Sequence, residues 1–177
     1  MFTRFVGHSK FSSRVWVAAA LLLAALPVVA SAQAWPKILE GDELTRVVPS
    51  SFYFEGQSAP TQMRNTAAVQ FGPTRFTMAG LVDTSGYSSE VRAKYVGFFI
   101  TDSPIIVGGT RLPTGAYGFG FERAGWMNVM DVGGRRLLSV RTRRDADLQR
   151  PRPLMMTQAR NGVRLYAGRE WVLLSSR

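Results

Sequence analysis

The chain has 177 residues, no cysteine and one histidine, His8. Without thiols there is no disulfide and no thiolate nucleophile. Beyond residue 34 there is no histidine either. That excludes Ser-His-Asp and Cys-His catalysis there. It also excludes zinc, copper and haem sites that rest on imidazole or thiolate. No glycine-rich phosphate loop precedes a helix; the Gly-Phe-Gly-Phe run at 118–121 sits in a strand-like alternation. No cofactor and no metal site are therefore expected. Lysine is scarce too: past residue 34 only Lys37 and Lys94 occur.

What is present begins with an address. Arg4, Lys10 and Arg14 precede an apolar run at 15–30, and small residues follow at Ala30, Ala32 and Ala34. A charged start, a short apolar core and a small-residue exit make a secretory signal, with cleavage expected after Ala32 or Ala34. The run has 16 residues and includes Pro27, whereas a spanning helix needs about 20. No integral span is expected after cleavage. No arginine pair precedes the run, so the general secretory route is expected. No cysteine follows it, so the product is not expected to be a lipoprotein. The expected location is periplasmic or secreted, in a bacterial-type envelope.

The formal net charge is +10, and its distribution is uneven. Residues 35–110 carry 6 Lys/Arg against 7 Asp/Glu, while residues 111–177 carry 13 Arg against 5 Asp/Glu. Arginine suits bidentate contact with phosphate and carboxylate. Export argues against nucleic acid as the partner. An anionic envelope component, or another envelope protein, is expected instead.

From Ser51 onward, short runs of Val, Ile, Phe, Tyr and Trp alternate with Gly, Pro, Asn, Asp and Ser, the grammar of strands and turns. It predicts strands near 51–56, 62–71, 75–83, 95–101, 104–107, 115–122, 126–132, 136–142, 153–159, 163–167 and 170–175. In 115–122, Tyr117, Phe119 and Phe121 share one face. Gly118 and Gly120 share the other, where a neighbour can approach closely. Leu138 and Val140 oppose Leu137, Ser139 and Arg141; Val163 and Leu165 oppose Arg164 and Tyr166. Asn161-Gly162 is the strongest hairpin signal, followed by Gly108-Gly109 and Gly133-Gly134. Residues 87–95 read as a short helix capped by Ser88 or Ser89, and residues 37–46 can form another. Residues 143–153 read as an exposed loop.

This pattern predicts an all-β fold: an antiparallel β-sandwich or barrel of roughly 8–11 short strands with one short helix. The expected organisation is a signal peptide at 1–34, an N-terminal extension at 35–50 and a single β domain at 51–177.

Residues 105–121 read IIVGGTRLPTGAYGFGF. The Val-Gly-Gly-x-x-Leu-Pro-x-Gly-x-Tyr pattern resembles a hairpin in a family of bacterial secreted β-rich domains of unknown function. The resemblance covers about a third of the mature chain. It implies a shared β architecture and supplies no catalytic residues.

The polar chemistry left to the chain is carboxylate and guanidinium. Asp83 and Asp102 end strands and are expected to serve turns. Asp131 shares a strand face with Met127 and Val129, and an arginine partner across the sheet, Arg136 or Arg141, is expected. Asp145-Ala146-Asp147 is a poor calcium site, since it lacks a glycine turn and a bidentate glutamate. Met155 and Met156 point to opposite faces and read as packing residues. Phe98, Phe99, Phe119, Phe121, Trp126 and Trp171 read chiefly as core. The best binding candidates are Arg141, Arg143, Arg144, Arg150 and Arg152, five guanidiniums over twelve residues. No catalytic residue is identifiable. The expected role is a non-enzymatic binding or structural module with an arginine-rich surface for an anionic partner. The alternatives are a carboxylate-only hydrolase acting on glycans, with two close carboxyls in a cleft, and a carrier with an aromatic-lined cavity for a small apolar ligand.

Overall fold

The computed structural model describes residues 1, 3, 35–122 and 124–176. The expected signal peptide therefore lies outside the described residues, apart from positions 1 and 3. The chain divides into Met1–Gln33 and Ala34–Arg177, and the architecture below belongs to the second unit.

Its elements run β1 (Lys37–Leu39), α1 (Gly41–Val47), β2 (Ser51–Phe54), β3 (Gln57–Gly72), β4 (Arg75–Val82), α2 (Ser89–Lys94), β5 (Gly97–Thr101), β6 (Ile105–Val107), β7 (Thr110–Leu112), β8 (Gly115–Glu122), β9 (Trp126–Met130), β10 (Arg136–Arg141), β11 (Arg143–Arg144), β12 (Arg152–Ala159), β13 (Gly162–Gly168) and β14 (Glu170–Ser175). One sheet has the order β1-β3-β4-β5-β8-β9-β10, with β2 added beside β3; the other has β12-β13-β14-β6-β7, with β11 beside β14. Every pairing is antiparallel.

The alternation read from sequence explains the packing. Phe99, Tyr117, Phe119, Val129, Leu138 and Val140 from the first sheet meet Val107, Leu154, Val163, Leu165, Val172 and Leu174 from the second in one core. Two antiparallel sheets sharing one core make a β-sandwich. A smaller core covers the first sheet's other face, built from Phe52, Phe54, Tyr87, Tyr95, Phe98 and Met130. The glycine face of β8 permits that layer. A Cβ on Gly118 would overlap the Phe54 ring, and one on Gly120 would overlap the Lys94 carbonyl. The closeness expected there is real, and it brings in the β2 hairpin and the end of α2.

The architecture departs from expectation in several places. The all-β expectation holds; among the described residues there are 14 strands against the roughly 8–11 expected, and the two helices overlap the two segments read as helical, 37–46 and 87–95. The additional strands β1, β7 and β11 have two or three residues each, too few to display an alternation. Residues 35–50, read as an extension, supply β1, which pairs with β3, and α1, whose Leu44 and Val47 pack on the smaller core. Arg143 and Arg144, read as loop, pair with Trp171 and Glu170. The α2 reading holds: Val91 N donates to Ser88 Oγ at 3.3 Å.

The turns separate two uses of glycine. Gly108 and Gly109 have φ of 55° and 91° and close the β6–β7 hairpin, as expected of a type I′ turn. Asn161-Gly162 behaves differently. Gly162 already pairs with Ala159, leaving Arg160 and Asn161 as the loop. A Cβ on Gly162 would overlap the Leu174 carbonyl, so this glycine serves contact with β14.

Candidate functional site

Arg141 ends β10 on the face opposite Leu138 and Val140, and its register partner is Trp126. Its guanidinium lies 4.5 Å from the centre of the Trp126 ring system. Arg143 pairs in register with Trp171 and lies 5.5 Å from that ring. Trp126 and Trp171 are therefore not core residues: both are partly exposed and hold arginines by cation–π contact. Arg164, from β13, also approaches Trp171, at 4.4 Å.

Ion pairs sort the surrounding cations. Arg144 meets Glu170 at 3.2 Å, and Thr142 Oγ1 donates to the same carboxylate at 2.7 Å. Arg164 lies 3.9 Å from Asp145 and donates to the Tyr166 hydroxyl, which in turn donates to Asp145 at 2.9 Å. Arg169 donates to the carbonyls of Asp145 and Ala146. Among the described residues, Arg141 and Arg143 are in no ion pair. Arg141 spends one weak hydrogen bond, at 3.4 Å, on the Ala124 carbonyl.

Arg141 and Arg143 line one groove of about 400 Å³ with Gly108, Gly109, Trp171, Val172 and Leu173. Among the described residues no carboxylate lines it. A stacked guanidinium keeps its N–H edge for an anion, and stacking fixes its orientation beforehand. The five predicted arginines are thus divided. Arg141 and Arg143 share the groove, and Arg144 is paired beside it. Arg150 is exposed in the β11–β12 connection, and Arg152 lines a different cleft. The sequence reading missed Trp126, Trp171 and Arg164; the available signal was the outward parity of Arg141 and Arg164 on their strands.

Asp83, Asp102, Asp131 and Asp145 serve structure. Asp83 accepts from Ser85 N, and that backbone bond holds its carboxyl below the usual value. Asp102 accepts from Phe76 N with both oxygens. Asp131 is not partnered by Arg136 or Arg141. Strand β9 stops at Met130, so Asp131 enters the turn and takes Arg135, at 3.0 Å, with the amides of Gly133 and Arg135. The Arg135 amide is the main cause of its lowered pKa. Asp145 is committed to Tyr166 and Arg164. Met156 is buried in the main core and Met155 is half-buried. Five of the concavities among the described residues are each lined by at most one carboxylate. No helix among the described residues is long and apolar enough to cross a membrane.

Comparison of the chain with family models, with curated proteins and with solved structures finds no match.

Proposed function

We propose that this protein is an exported envelope module that binds an anionic group in the groove between the β6–β7 turn and Trp171. One observation carries the reading: two arginines, each held against a tryptophan, line one groove, and among the described residues neither is ion-paired and no carboxylate lines the groove. The ligand is a phosphate or carboxylate borne on a lipid or glycan of the envelope. The leader-like segment at 1–34 and the resemblance to secreted β-rich domains support the location.

The test is thermal unfolding of the purified protein with polyphosphate, polygalacturonate or phosphatidylglycerol vesicles, at low and high salt. A ligand at a hundred times its Kd raises stability by about 2.7 kcal/mol. The expected result is stabilisation by at least one polyanion that fades at high salt, because screening shortens the reach of exposed charge. It is lost in the Arg141→Gln/Arg143→Gln double variant and retained in Arg150→Gln. Equal loss in Arg150→Gln would assign the effect to diffuse charge and overturn the groove reading. No stabilisation by any of the three polyanions would overturn it too.

A further inference from the structure

A second concavity, about 380 Å³, shares no lining residue with the Trp171 groove and lies where β1 and α1 meet β3 and β12. Its wall includes Ile38, Leu44, Met63 and Met155, all partly or fully exposed, with Arg64 and Arg152 beside them. Met63 is 40% exposed. Among the described residues neither arginine is in an ion pair. Among the described residues Glu40 is the one carboxylate in the lining, so these side chains give the cleft a net positive charge.

The backbone that presents Met63 and Arg64 is irregular. Thr61 pairs with Val82 and Thr66 with Gly80, so four residues of β3 stand against one of β4. Side chains hold this bulge. Gln62 donates to the Val82 carbonyl, Asn65 donates to Gln62, and Thr66 donates to the Met63 carbonyl, at 2.8–2.9 Å. Bulges re-aim side chains, and they concentrate beside functional sites. Here the bulge places an apolar thioether and a guanidinium in one cleft.

We infer that this cleft is a second site, which takes a single-chain anionic amphiphile: one carboxylate or phosphate head with one acyl chain. The two guanidiniums match the head. Ile38, Leu44 and the two methionines match the chain, and methionine's flexibility suits a chain without fixed shape. The volume falls at the small end of the range for ligand pockets.

The test is isothermal titration of the purified protein with laurate, 12-carbon lysophosphatidylglycerol, dodecyltrimethylammonium and dodecyl maltoside, each below its micelle concentration. At least one anionic probe is expected to bind one-to-one, and at least tenfold tighter than the cationic and neutral probes. The Arg64→Gln/Arg152→Gln variant is expected to weaken it at least tenfold, and Met63→Glu likewise. Both arginines and Met63 lie on the surface, so the variants are expected to keep the parent's melting curve. Tighter laurate identifies a free fatty acid and tighter lysophospholipid a lipid headgroup; either supports the site. Arg141→Gln/Arg143→Gln leaves this binding unchanged, which separates it from the Trp171 groove. Equal binding of the cationic probe, no saturable binding of either anionic probe, or indifference to the cleft variants would overturn the inference.

Discussion

The carbonyl of Lys94, at the end of α2, occupies the space where a Cβ on Gly120 would stand. Helix α2 therefore rests directly on the backbone of β8, and Lys94 reaches across to Glu55 at 2.7 Å. Gly120→Ala is expected to cost about 3 kcal/mol, since neither backbone can yield without repacking. Gly86→Ala serves as the control: its nearest neighbour would be the Gln57 side chain at 3.6 Å, and a change within about 0.5 kcal/mol is expected. Urea unfolding midpoints of the two variants check both values.

The stacking of Arg141 on Trp126 gives a prediction that counting charges does not. Trp126→Leu keeps every arginine but frees one guanidinium. Affinity for the stabilising polyanion is expected to fall about threefold to tenfold, the cost of ordering one long side chain on binding. The slope of affinity against salt is expected to stay unchanged, whereas Arg141→Gln is expected to reduce both. Titration at three salt concentrations distinguishes the two variants. An unchanged affinity in Trp126→Leu would show that stacking plays no part.

Alkaline stability turns on Tyr95. Its ring is fully buried and stacks on Phe54 at 3.9 Å, and its hydroxyl has no partner among the described residues. Burial, with Tyr87 nearby, pushes its phenol well above the usual value. An unfolded tyrosine releases its proton near pH 10 while the folded one holds it. The stabilisation is complete below that pH and is lost as the pH rises above it. A urea midpoint that is flat to about pH 10 and then falls is expected. Tyr95→Phe is expected to soften that fall. At neutral pH it is expected to be neutral or to add about 1 kcal/mol, because an unsatisfied buried hydroxyl is removed.

Asn128 lies in the first sheet at 3% exposure, and its Nδ2 donates to Glu122 Oε1. Asn128→Asp places a second carboxyl against the first. A like charge at contact raises a carboxyl's pKa, and a cost of about 3 kcal/mol at pH 7 is expected. With the folded pKa raised, the variant keeps its stability below about pH 4 and loses it as pH rises. Its midpoint is expected to approach the parent's in acid; a deficit that does not vary with pH would indicate lost packing instead of repulsion.

Much of the fold could be read from alternation. Leu138 and Val140 face in, Leu137 and Arg141 face out, and the glycine face of β8 receives a close neighbour. Turn chemistry was equally local at Gly108-Gly109 and Asp83, whereas Asp102, expected to serve a turn, bonds across to Phe76 on the neighbouring strand. The site was legible only as a basic stretch. Trp171 stands 28 positions after Arg143, and only strand order places them side by side. Asp131 misled because its face was inferred from a strand that ends one residue earlier.

The order of residues alone sets the β grammar, the inward and outward faces of the longer strands, and the lack of thiol and imidazole groups beyond residue 34. These properties follow from side-chain type and a period of two, both local. The tertiary structure decided which strands pair, and hence which arginines are neutralised and which stack on tryptophan beside a groove. It also decided that a bulge in β3 would bring Met63 and Arg64 to a cleft with Arg152. Such relations depend on register between distant segments, which the packing of the two sheets around one core sets and no local pattern encodes.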